Sequence, residues 1–67
     1  MKVAELKVII AEKNIKIADL AEAIGMDQST YFRKIQNEGS GFTLEQIIKM
    51  VDYLDMTKEQ ATRIFLA

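Results

Sequence analysis

The chain has 67 residues, 49% of them hydrophobic, with no Cys, no His, no Pro and a formal net charge of −1. That length predicts one domain over 1–67, near the lower limit for a chain that folds on its core alone. The absence of Cys and His excludes disulfides, zinc fingers, thiolate attack and histidine acid–base chemistry together, so no enzyme, metal or cofactor is expected.

Apolar spacing predicts a first helix over about 2–13, with Val3, Leu6 and Ile10 at helical intervals and Ile9 widening the stripe. Asn14 stands at its stop. A second, shorter helix is predicted over 17–24, burying Leu20, Ala21 and Ile24, and Gly25 supplies the left-handed residue that ends it.

The next three helix starts share one chemistry. Asp27 is an N-cap, with Met26 and Tyr31 at the positions of a hydrophobic staple. Thr43 with Gln46 and Thr57 with Gln60 are capping boxes, stapled by Phe42/Ile47 and Met56/Ala61. A Thr cap is typically worth about 1 kcal/mol, enough to define a boundary in a short helix. Helices are therefore predicted over 28–37, 44–54 and 58–66. Their expected core stripes are Tyr31/Ile35, Leu44/Ile47/Ile48/Val51/Leu54 and Ala61/Ile64/Phe65. Five short helices make an all-α, compact orthogonal bundle. The end of the last helix, Ile64-Phe65-Leu66, leaves a spare apolar face that, with Met50 or Met56, is a candidate surface for a homodimer.

Only Gly25-Met26-Asp27 separates the second and third helices. So tight a turn forces a large crossing angle and projects the first turn of the third helix outward, as a helix-turn-helix over 17–36 does. Ala21 is small where the two helices approach, and Met26 plugs the corner.

The stretch ADLAEAIGMDQSTYFRKI resembles the helix-turn-helix of the Cro/phage-repressor (XRE-like) family. That family has Leu-Ala, a Gly four residues on and then an apolar residue, matched here by Leu20-Ala21, Gly25 and Met26. The later stretch GFTLEQIIKMVDYLDMTKEQATRIF is similar to short phage-encoded members, so the likeness covers essentially the whole chain. It implies a lambda-repressor-like DNA-binding fold and a transcriptional regulator, a repressor in the phage setting, that binds a double-stranded operator. It also implies roles for single residues. Gln28, Ser29, Thr30, Phe32 and Arg33 are the expected base contacts, with Gln28 suited to adenine, Arg33 to guanine and Phe32 to a thymine methyl. Lys16, Lys34, Asn37 and the start of the fourth helix at Thr43 are the expected phosphate contacts.

Two positions depart from the family's pattern. Lys16 and Ile17 stand where a Thr/Ser-Gln pair commonly opens the second helix, which removes a bracing glutamine. Lys34 stands where a buried apolar residue is usual, and Ile35 is placed to take over its packing. The charge is also not that of a typical nucleic-acid binder: the sequence pI is about 5.3. Residues 1–37 carry six basic and five acidic groups, and residues 38–67 three and five, a weak polarity of +1 against −2 that permits DNA binding without demanding it. These features keep a second reading open. In it, Ile17 and Phe32 form an apolar patch that docks on another regulatory protein, as an antirepressor does. No apolar run is long enough to span a bilayer and no leader is evident, so a cytoplasmic protein with no membrane or small-molecule partner is expected.

Overall fold

Four of the five helices are stopped by the same device, a left-handed residue followed by a closing backbone hydrogen bond. The computed structural model describes residues 1–66. Among them the elements are α1 (Val3–Glu12), α2 (Ile17–Ala23), α3 (Gln28–Gln36), α4 (Leu44–Tyr53) and α5 (Lys58–Phe65), with no strand. Every boundary falls within one residue of the prediction. At the ends of α1 to α4 the left-handed residues are Asn14 (φ 54°), Gly25 (φ 85°), Glu38 (φ 57°) and Asp55 (φ 49°). In each case the next residue's N–H reaches back to a carbonyl five residues earlier: Ile15 to Ile10, Met26 to Ala21, Gly39 to Lys34 and Met56 to Val51, at 2.8–3.1 Å. This pattern satisfies carbonyls that a helix end otherwise leaves free, and it sends the chain off at an angle. Three of the four residues that follow (Ile15, Met26, Met56) are apolar and pack on the core, so each stop also anchors the next segment.

The starts of α3, α4 and α5 are capped by side chains, whereas Lys2 and Lys16 do not cap α1 and α2. Both capping boxes form: Thr43 Oγ1 accepts from the Gln46 N–H at 3.1 Å while Gln46 Oε1 accepts from the Thr43 N–H at 2.9 Å, and Thr57 and Gln60 repeat the arrangement. The caps set the lengths, and burial does the rest. Leu6, Leu20, Met50, Leu54 and Ile64 are wholly buried, and they come from α1, α2, α4 with its end, and α5. Helix α2 packs against both α3 and α4, and α1 packs against α5. The Lys2 N–H donates to the Ile64 carbonyl at 2.8 Å, and Arg63 Nε meets Glu5 Oε1 at 2.8 Å, so the first helix is tied to the last. The ion pair is half exposed and adds little beyond the packing. The described residues fit within 28 × 23 × 20 Å, and no helix among them is long and apolar enough to cross a membrane.

The fourth helix corrects the sequence reading. Leu44 and Ile48, expected in the core, are exposed (73% and 59%), whereas Met50, named as one candidate for the homodimer surface, is fully buried. Ile48 and Met50 are two residues apart, about 200° around the helix, so they cannot face the same neighbour. Packing on α2 selects the Met50/Leu54 side. Phe42, in the turn before the helix, packs on the core and comes within 6.0 Å of the Tyr31 ring. Met56 is likewise buried, at 9% exposure, so neither it nor Met50 belongs to a free dimer face.

Candidate nucleic-acid interface

Helix α3 is held by its buried side and presents its other side. Tyr31 and Ile35 face the core, at 2% and 8% exposure. At 100° per residue the direction opposite them carries Ser29 and Arg33, one turn apart, flanked by Gln36 and Asn37. All four are exposed, as is Gln28 at the first position. Thr30 is half-buried, and its Oγ1 lies 3.5 Å from Nη2 of Arg33.

The start of the helix is fixed by Asp27, in extended conformation (φ −82°, ψ 167°). Its Oδ1 accepts from the Thr30 N–H at 2.7 Å and from Ser29 Oγ at 3.1 Å. Hydrogen bonding by Thr30, through side chain and backbone, then by Ser29, holds the carboxyl below its ordinary value of 3.8, with a smaller pull from the Arg33 charge. A depressed carboxylate contributes stability that is present above the unfolded value and lost as the pH falls through the folded one. Asp27→Asn is therefore expected to unfold less steeply than the wild type between neutral pH and pH values below 3.8, in paired acid titrations followed by circular dichroism. Parallel acid limbs for the two proteins would rule this out.

The turn between α2 and α3 has the tightness the motif needs. Gly25 sits at φ 85° with nothing within 4 Å of where a Cβ would stand, so it is required by its backbone conformation and not by crowding. Ala21 is buried in α2, which packs on α3, and Met26 packs against the core. The result is a helix, a four-residue connection (residues 24–27, one more than predicted because Ile24 is the C-cap of α2) and a second helix with a free polar face.

A scan against family models matches residues 5–61 to the Cro/C1-type HTH DNA-binding domain. This chain belongs to the Cro/C1-type helix-turn-helix family. No curated protein and no solved structure matches it. The match spans α1, α2, α3 and α4 and reaches into α5, so the helices that support the motif belong to the family pattern as well as the motif itself.

The remaining sequence-predicted contacts fall into two groups in this Cro/C1-type domain. Lys16 is exposed at the N-cap of α2, where its side chain does not cap the helix, and Asn37 is exposed at the C-cap of α3. Both stand at the edges of the helix-turn-helix. Lys34 and Thr43 are instead engaged within the chain. Lys34 Nζ donates to the Gly41 carbonyl at 2.9 Å and lies 5.9 Å from the centre of the Phe42 ring, which pins the loop between α3 and α4. An ammonium replaces the usual buried apolar residue because Gly41 and Phe42 give it an acceptor and an aromatic face. Thr43 spends both its hydroxyl and its N–H on Gln46.

Ile17 and Phe32 are brought together. Phe32 is 45% exposed, stands edge-on to Tyr31 with ring centres 5.7 Å apart, and forms one wall of a groove of about 380 Å³. Ile10, Ile17 and Ile35 supply the apolar floor, with Lys7 and Gln36 at the rim. Gln36 and Lys7 were not among the sequence-predicted contacts. The signal for Gln36 was its spacing, four residues after Phe32 and three after Arg33 on one helix face. Lys7 belongs to another helix, and only folding puts it beside α3.

Proposed function

We propose that this Cro/C1-type domain is a transcriptional regulator, of phage or mobile-element type, that binds a double-stranded operator with α3 in the major groove. The observation that carries the reading is the exposed polar face of α3, Ser29 and Arg33 with Gln28 free at the first turn, on a helix anchored by Tyr31 and Ile35 and capped by Asp27. Rigidity matters because base reading rewards only side chains already in place. Gln28 pairs with adenine N6 and N7, and Arg33 forks onto guanine O6 and N7, while Ser29 and Thr30 touch base or backbone. Phe32 covers a thymine methyl from the flank. Lys16 and Asn37 hold phosphates at the two ends of the motif, and Lys34 and Thr43 contribute through the loop and helix start they brace. Such a regulator acts in the cytoplasm, where the operator is.

The test is a fluorescence-anisotropy titration at low salt, against duplexes selected by the chain from a randomised pool. Gln28→Ala and Arg33→Ala are each expected to cost about 1–3 kcal/mol, roughly 5- to 150-fold in affinity, and to relax preference at one position of the site. Lys16→Ala is expected to weaken all duplexes alike and to lower the salt slope by about one. Absence of any selected sequence, or indifference to both Gln28→Ala and Arg33→Ala, would sink the reading.

A second reading rests on the groove shared by Ile17 and Phe32 and on the chain's net charge of −1. In it the same face docks on another phage regulator, as an antirepressor does. The two readings make opposite demands. A protein-docking face loses its regulatory effect with Ile17→Asp or Phe32→Asp and keeps it with Arg33→Ala.

A further inference from the structure

We propose that the groove between α1 and α3 is a binding site for a small amphipathic monocarboxylate whose occupancy weakens operator binding; the effect on the operator, though not the site, rests on the DNA-reading function above. Helix α1 packs against α5 and α3 against α2. Between α1 and α3 lies the groove of about 380 Å³, walled by Lys7 and Ala11 on one side and by Phe32 and Gln36 on the other. The members of each pair are four residues apart, so each wall is one helical turn long. Ala11 projects only a methyl group, which leaves the space that a longer side chain there would fill.

The lining selects the occupant. Ile10, Ile17 and Ile35 make the floor apolar, and the half-exposed Phe32 ring offers a face for stacking. Lys7 is the one charged residue in the lining, and it makes no ion pair among the described residues. Glu5, the nearest acid to it along α1, is engaged by Lys2 and Arg63. An apolar floor with one cation and the Gln36 amide at the rim fits an apolar body that carries a single carboxylate. A cationic amphiphile meets the Lys7 charge, and a dianion leaves one charge without a partner. At about 30 Å³ per water in the liquid, the groove holds about a dozen waters, which sets the ligand at roughly that number of non-hydrogen atoms.

Phe32 couples the groove to DNA. The same ring walls the groove and stands next to Arg33 on α3. A ligand stacked on it withdraws it from the operator and sets a carboxylate near the phosphates that α3 approaches, so the two partners oppose each other. By thermodynamic reciprocity the operator weakens the ligand by the same factor.

The probe is naphthoate, with naphthylmethylammonium as its cationic counterpart, titrated into isotope-labelled chain and followed by amide NMR shifts. Naphthoate is expected to bind with a Kd on the order of 0.1–1 mM and to move the amides of residues 7–11 and 32–36. Naphthylmethylammonium is expected to bind more weakly. Lys7→Gln is expected to weaken naphthoate roughly 2- to 5-fold and to remove its advantage over the cation. Ala11→Met, at an exposed position, is expected to fill the groove and abolish binding, while operator affinity changes by less than about 2-fold. In the anisotropy assay, naphthoate at about ten times its Kd is expected to lower operator affinity of the wild type about 10-fold, the value for mutual exclusion, and to leave Ala11→Met unaffected. Absence of shifts at the groove, equal binding of the two probes, or an operator affinity indifferent to bound naphthoate overturns the proposal and leaves the groove to the protein partner of the second reading. Failure of the wild type to bind any operator would instead strike the DNA reading, and the NMR arm would then decide the site alone.

Discussion

Leu20→Ala is expected to bring the domain to the edge of unfolding. Leu20 is fully buried in α2, the helix of the motif that packs against both α3 and α4. Truncating a buried leucine costs about 2–5 kcal/mol, the transfer of the lost methyls plus the cavity they leave. A chain of this length typically holds roughly 3–10 kcal/mol in total. Nothing covalent backs up the core, since the chain has no cysteine. The measurement is thermal and urea unfolding by circular dichroism, with the midpoint expected to fall by about 10–30 °C. A loss under about 1 kcal/mol would show that Leu20 is not a core residue.

Tyr31→Ala is expected to be nearly as damaging and to act more locally on DNA binding. Tyr31 is 2% exposed and lies between Phe32 and Phe42, with ring centres 5.7 and 6.0 Å away. Removal of a buried aromatic ring costs about 3–5 kcal/mol, and aromatic pairs carry about 0.5–1.5 kcal/mol beyond their area. Half of the anchoring of α3 goes with it, because only Ile35 remains buried on that helix. Tyr31→Phe keeps the ring and serves as the control. Burial pushes the phenol up from 10.0 to about 12. A raised value means stability that is intact below pH 10 and is lost as the pH climbs from 10 toward 12, where the unfolded chain ionises first. Wild type is thus expected to lose more stability than Tyr31→Phe in that window. Indistinguishable alkaline limbs would show that the hydroxyl is free to ionise in the folded chain.

Much of the architecture was legible because it rests on local chemistry. The capping boxes at Thr43 and Thr57, the Asp27 cap and the Gly25 stop act within a few residues of themselves, and α3, α4 and α5 begin, and α2 ends, where those residues stand. Three of the stops use Asn14, Glu38 and Asp55 in the left-handed region. Of these only Asn14 announced itself, because Glu and Asp are ordinary helix or surface residues unless the chain around them demands otherwise. The stripe of Tyr31 and Ile35 on α3 was also readable, whereas adjacent Phe32 stood between the core edge and the free surface until packing left it 45% exposed.

What the amino-acid sequence alone determined was therefore the helices, their order, the tight turn of the helix-turn-helix and the polar face of its second helix, all consequences of contacts within one or two turns. Tertiary packing decided the rest. Half of α4 is apolar, enough for more than one face, and only its seat on α2 selected Met50 and Leu54 for the core and left Leu44 and Ile48 outside. Lys34 was drawn to Gly41 and Phe42, and Lys7 was set beside Phe32, by neighbours that come close only after folding. Periodicity states how wide an apolar stripe is; the partner helix settles which part of it is covered.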